Sequence, residues 1–88
     1  MERQTLSQLL IVAANFFRLG MEAAGSEKLI DIIEQLTQLL TKWPEAKLPG
    51  INAELKRLYT AKAQKNLLFA ADILEFRILP LVNQQDLD

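Results

Sequence analysis

The chain has no cysteine and no histidine among its 88 residues. Without cysteine there is no disulfide framework, thiolate zinc site or cysteine nucleophile, and without histidine there is no imidazole ligand or base. Glycine is scarce, at Gly20, Gly25 and Gly50, and forms neither G-x-G-x-x-G nor G-x-x-x-x-G-K-[S/T], so a phosphate-cradling loop is missing too. Charge of one sign is also lacking. Ten basic side chains face eleven acidic ones, with a formal charge of −1 and a pI of about 5.4. That balance argues against a protein built mainly to neutralise phosphates. No run reaches the ~18 apolar residues that span a bilayer. The start Met1-Glu2-Arg3-Gln4 is mixed in charge, and Leu9 to Phe17 is broken by Asn15 and followed by Arg18, a poor secretory signal. A cysteine-free composition suits a reducing compartment, so the expectation is a soluble, cytoplasmic protein.

What is present is apolar. Half of the residues are hydrophobic and about a quarter charged, too apolar for intrinsic disorder and of a length for one domain, 1–88. Leu6, Leu9, Leu10, Ala13, Phe16 and Phe17 recur at three-and-four spacing, the mark of a helix face, and Thr5 with Gln8 gives a capping box. A first helix is expected over 6–24, with Gly25 as left-handed C′ residue and Ser26 capping the next; alternatively, Gly20 ends the helix or marks a close helix approach. The second helix, 26–43, sets Leu29, Ile30, Ile32, Ile33, Leu36, Leu39, Leu40 and Trp43 against Glu27, Lys28, Asp31, Glu34 and Lys42, and Trp43-Pro44 closes it. A loop is expected over 44–50, then a helix over 51–64. The period fades before Leu67, and a break with Asn66 as N-cap is preferred to one long helix. The last helix, 67–83, is apolar nearly all round, and Pro80 should kink or finish it ahead of a frayed tail, 84–88. The fold expected is all-α: a small up-and-down antiparallel bundle, four helices as two hairpins. Asp31-Ile32-Ile33-Glu34 echoes Asp72-Ile73-Leu74-Glu75, as a duplicated hairpin would.

The stretch Leu68-Phe69-Ala70-Ala71-Asp72-Ile73-Leu74-Glu75-Phe76, followed by Leu79-Pro80-Leu81, resembles one near the C-terminus of small helical proteins of Firmicute bacteria. The resemblance covers about a fifth of the chain, with Asn66 where an aspartate would be expected, and implies a helical fold and bacterial origin with no activity to transfer. In size and helical character the chain is also similar to small export chaperones of the flagellar system.

Few side chains can carry chemistry. The pairs Asp31/Glu34 and Asp72/Glu75 each stand at i, i+3 on one helix face. On so apolar a helix, Asp72 and Glu75 call for a partner among Arg77, Arg18 or a lysine, and Asp72, Glu75 and Arg77 are the candidate structural ion pair. Carboxylate-bridged metal bundles also use Glu-x-x-His, which a chain without histidine cannot supply. No catalytic, cofactor or metal site is expected, and no small-molecule substrate. Lys56, Arg57, Lys62 and Lys65, with Tyr59 among them, form a candidate basic patch.

Helix 4 exceeds the three apolar positions in seven that a bundle helix needs, and Ile11, Val12 and Leu19 add a smaller surplus on helix 1. A chain this short buries only ~60–70% of its unfolded surface, so a second apolar face needs an external cover. Ile11, Val12, Leu19, Leu67, Phe69, Leu74, Ile78 and Leu81 are the candidate interface. The function expected is a noncatalytic helical interaction protein, an adaptor, small chaperone or regulator, forming a homodimer or binding a partner helix. Nucleic-acid binding through helix 3 is the alternative, and an enzyme built on Asp72 and Glu75 a third.

Overall fold

A computed structural model describes residues 5–87, with side chains from Thr5 to Asn83. Its elements are α1 (Leu6–Arg18), α2 (Glu22–Leu40), a 3₁₀ turn at Glu45–Lys47, α3 (Leu48–Ala63) and a continuous helix α4 over 67–87. Within α4 an α-helical Leu67–Asp72 and Leu79–Leu87 flank a π-helical Ile73–Ile78. No strand occurs among the described residues. The fold is the expected small all-α bundle of four helices.

Thr5 starts α1 as read: its hydroxyl accepts from the Gln8 amide at 3.1 Å, and the Gln8 side chain returns the bond to the Thr5 amide at 2.9 Å. The end of α1 corrects the expectation of a helix to residue 24. Gly20 takes φ +76° and closes α1, with its amide donating to the Phe17 carbonyl and the Met21 amide to that of Phe16, a Schellman turn. Gly25 and Ser26, expected to punctuate the chain, lie inside α2. There Gly25 serves close approach: a Cβ at this position would meet the Phe17 ring at 2.8 Å. Gly20 thus takes the alternative read for it, the helix end, and the close approach falls to Gly25.

The second hairpin turns in the same way. Gln64 caps α3, Lys65 takes φ +61°, and the amides of Lys65 and Asn66 donate to the carbonyls of Lys62 and Ala61. Asn66 then caps α4, accepting from the Phe69 amide at 3.3 Å, which bears out the expected break. A lysine holds here the left-handed position that a glycine holds in the first turn. Measured from these equivalent turns, Asp31 lies eleven residues beyond Gly20 but Asp72 only seven beyond Lys65. The Asp-Ile-x-Glu echo is therefore one helical turn out of step and does not mark equivalent positions.

Three further boundaries move. α2 ends at Leu40, three residues before the expected stop at Trp43. α3 begins at Leu48, inside the expected loop, because Pro49 sits in its first turn, where a missing amide hydrogen costs nothing and the fixed φ suits a helix. α4 runs on to Leu87 instead of ending near 83, and Asp88 lies outside the described residues. Pro80 neither stops nor unpairs it. Its ring would meet the carbonyl one turn back in a regular α-helix. The backbone widens to a π turn over the preceding residues, and the Leu79 amide reaches back to the Leu74 carbonyl.

Contacts fix the topology. Phe17 packs on Gly25, Ser7 bonds to Asn83 while Arg18 bonds to Asp72, and Lys65 bonds to Glu22, so each neighbouring pair of helices runs antiparallel. α4 packs on α1 along one side and on α3 along the other, and α1 also holds α2. α2 and α3 stand further apart across a groove, in a flat body of 34 × 33 × 18 Å. One core joins all four helices through Leu10, Phe17, Ile32, Leu36, Ile51, Leu58, Ile73, Leu74, Ile78 and Val82.

Two substitutions test the turns. Gly25→Ala gains ~1 kcal/mol of helix propensity but drives a methyl into the buried Phe17 ring, an overpacking cost of roughly 1–3 kcal/mol, so urea denaturation should report net destabilisation. In a Glu22→Gln background, which removes the ion pair, Lys65→Gly should raise stability by about 1 kcal/mol by relieving the left-handed backbone.

Candidate interaction surface

The antiparallel pairing of α1 and α4 brings Arg18 onto the acidic turn of α4. Its Nη1 donates to Glu75 Oε1 at 2.5 Å and its Nη2 to Asp72 Oδ1 at 3.4 Å, while the guanidinium lies 5.6 Å from the centre of the Phe76 ring. The hydrogen bond to Glu75 holds the Arg18 pKa above its ordinary value, with Asp72 acting the same way and burial opposing both. The expected carboxylate pair is thus an ion-pair cluster, but its cation is Arg18 from another helix. Arg77, named from its nearness in sequence, is exposed and takes no part.

Around this cluster the surface is apolar. Ile11 on α1, Leu19 at its C-cap, and Leu68 and Phe76 on α4 are large and exposed, Leu19 at 73%, Leu68 at 64% and Phe76 at 62%. Of the candidate interface, Ile11, Leu19 and Phe69 are exposed, and Val12, Leu67 and Leu81 are half-buried. Leu74 and Ile78 are a correction: both are at 0% exposure, in the core between α1 and α3, and cannot belong to a surface of the folded chain. An all-round apolar helix carries no phase by which sequence could separate them from Leu68 and Phe76. Ile30 is a further correction: expected on the apolar face of the second helix, it is 70% exposed, and its spacing of i, i+3 and i, i+4 from Glu27 and Glu34 is the signal that sets it on the polar side of α2.

The basic patch does not assemble on one face. Lys56 and Arg57 line a groove of about 330 Å³ against α4, with Ala53, Thr60, Ala61, Gln64 and Phe69. Lys62 lies instead in the groove of about 310 Å³ towards α2, with Ser26, Leu29, Ile30, Ile33 and Tyr59. Lys65 is held at the turn by Glu22, with both carboxylate oxygens at 3.0 Å. Sequence gave no sign of Glu54, which is buried, with Oε1 2.7 Å from Arg57 Nη1 and Oε2 without a partner.

Among the described residues no three carboxylates gather into a group that could hold a metal ion, and no helix is long and apolar enough to cross a membrane. Comparison with protein families, curated proteins and solved structures finds no match for the chain.

The two arginines should respond differently. Arg18→Gln breaks a partly exposed cluster and should cost no more than about 1 kcal/mol, less in high salt. Arg57→Gln strips the counter-charge from the buried Glu54 carboxylate and should cost roughly 1–3 kcal/mol, read by urea denaturation.

Proposed function

We propose that the protein is a noncatalytic helical interaction protein, an adaptor, small chaperone or regulator, that forms a homodimer through the α1/α4 face. The observation that carries this reading is the exposure of Leu19, Leu68 and Phe76 around Arg18 on one pair of packed helices. Large apolar side chains grouped on a surface mark contact sites, and aromatic and arginine side chains are the types that dominate interface energy. The charges in this face already have partners. Arg18 spends its guanidinium on Glu75 and Asp72, so covering them with a second protein strands no lone cation. A face built from two antiparallel helices can meet its own copy about a twofold axis, each contact made twice. The same bonds argue against Asp72 and Glu75 as an acid/base pair. The cytosol is the compartment that the composition suits. A partner's amphipathic helix is the other occupant this face would accept.

Sedimentation equilibrium at micromolar concentration tests the proposal. A dimer is expected, and Phe76→Glu combined with Leu68→Glu should shift it to monomer with helix content and melting temperature retained, since both positions are exposed. Leu74→Glu should instead unfold the chain. A wild-type protein monomeric at hundreds of micromolar defeats the dimer.

A further inference from the structure

We infer that the groove between α3 and α4 is a docking site for an acidic amphipathic helix of a partner protein. It is lined by α3 and Phe69, whereas the Arg18 cluster is made by Arg18 with Asp72, Glu75 and Phe76, so the two share no residue and the inference does not rest on the dimer. Its lining on α3 follows the spacing Ala53, Lys56, Arg57, Thr60, Ala61 and Gln64, one continuous helix face. That face extends for about 16 Å, or three turns, the footprint of a helix laid alongside rather than of a compact molecule. The buried Ala61 and the small side chain of Ala53 let another backbone approach closely, and the ring of Phe69, itself half-exposed, offers an apolar wall for a large side chain.

Charge selects the occupant. The groove is lined by two cations and no carboxylate. Arg57 is set in place by the buried Glu54 on its own helix, through a single Nη1 bond, which leaves its other N–H donors for an incoming carboxylate. A nucleic acid strand would want basic groups in continuous array, but Lys62 lies in the other groove and Lys65 on Glu22. The negative partner must therefore also bring apolar side chains to fill the floor, which is the description of an acidic amphipathic helix.

The test is fluorescence anisotropy with a labelled four-turn helical peptide bearing leucines at i and i+4 flanked by glutamates, beside its glutamine counterpart and a labelled single-stranded oligonucleotide of equal charge. The acidic peptide should bind, and the glutamine peptide roughly tenfold more weakly. The double variant Lys56→Glu/Thr60→Glu, at two exposed positions, should lose roughly tenfold in affinity for the acidic peptide with its melting temperature kept. Phe69→Ala should weaken both peptides, while Phe76→Glu should change neither; a wild-type chain that is monomeric yet still binds the acidic peptide defeats the dimer and keeps this site. Equal binding of the two peptides, or none, overturns the inference. So does tighter binding of the oligonucleotide, or a double variant that dissociates the dimer, which would make the occupant a second copy.

Discussion

The fold hangs on α4 being buried along two sides at once. Ala70, Ala71, Ile73, Leu74, Ile78 and Val82 are all withdrawn from water between α1 and α3. The alanines bring the neighbouring helices close at the turn end, and the larger side chains fill the space further along. Each fully buried large aliphatic contributes roughly 1.5–3 kcal/mol, so this one helix supplies a major part of the hydrophobic stabilisation. A helix so placed keeps one side for solvent, and among the described side chains that side holds Leu68, Phe69, Asp72, Phe76, Arg77, Pro80 and Asn83. The π turn belongs to the same constraint, because it lets a helix containing Pro80 pass through the bundle without ending.

The rest of the bundle closes unevenly around this axis. α1 is locked on both flanks, by Phe17 against Gly25 and by Arg18 and Ser7 against α4. α2 and α3 are joined more loosely. The Glu22–Lys65 ion pair bridges them beside the two hairpin turns, and Ile30 and Tyr59 remain exposed along the groove that follows. The inner pair α1 and α4 carries the ion-pair cluster, and α3 borders two grooves of different chemistry on its two sides.

Features encoded by neighbours in the chain were readable from sequence. The Thr5/Gln8 box and the cap at Asn66 depend on residues within one turn, and the structure has both; the core face of α2 is present in Leu29, Ile32 and Leu36, though Ile30 lies outside it. What depends on distant residues was not readable. Whether Gly20 or Gly25 makes the turn is decided by Phe17, which needs the space a Cβ would fill at 25. The partner of Glu75 is chosen by the pairing of α1 with α4, so Arg18 wins over the nearer Arg77. The apolar surplus of helix 4 was read correctly as a surplus, but most of it is absorbed by having helices on two sides; Leu74 and Ile78 fall inside and Leu68 and Phe76 outside for reasons of rotation that a uniformly apolar sequence does not record. The basic residues of α3 sit at spacings that send them to opposite sides of one helix, which a count of charges conceals.

Each hairpin closes on itself through a tight turn, and the two are joined by one short connection running from Thr41 to Lys47. The principal seam between them, α1 against α4, is indifferent to whether both helices belong to one molecule. The length of that connection is therefore what lets the two halves close on each other within one chain; were it too short to fold back, the same core could be rebuilt only by two chains trading halves, as an intertwined dimer.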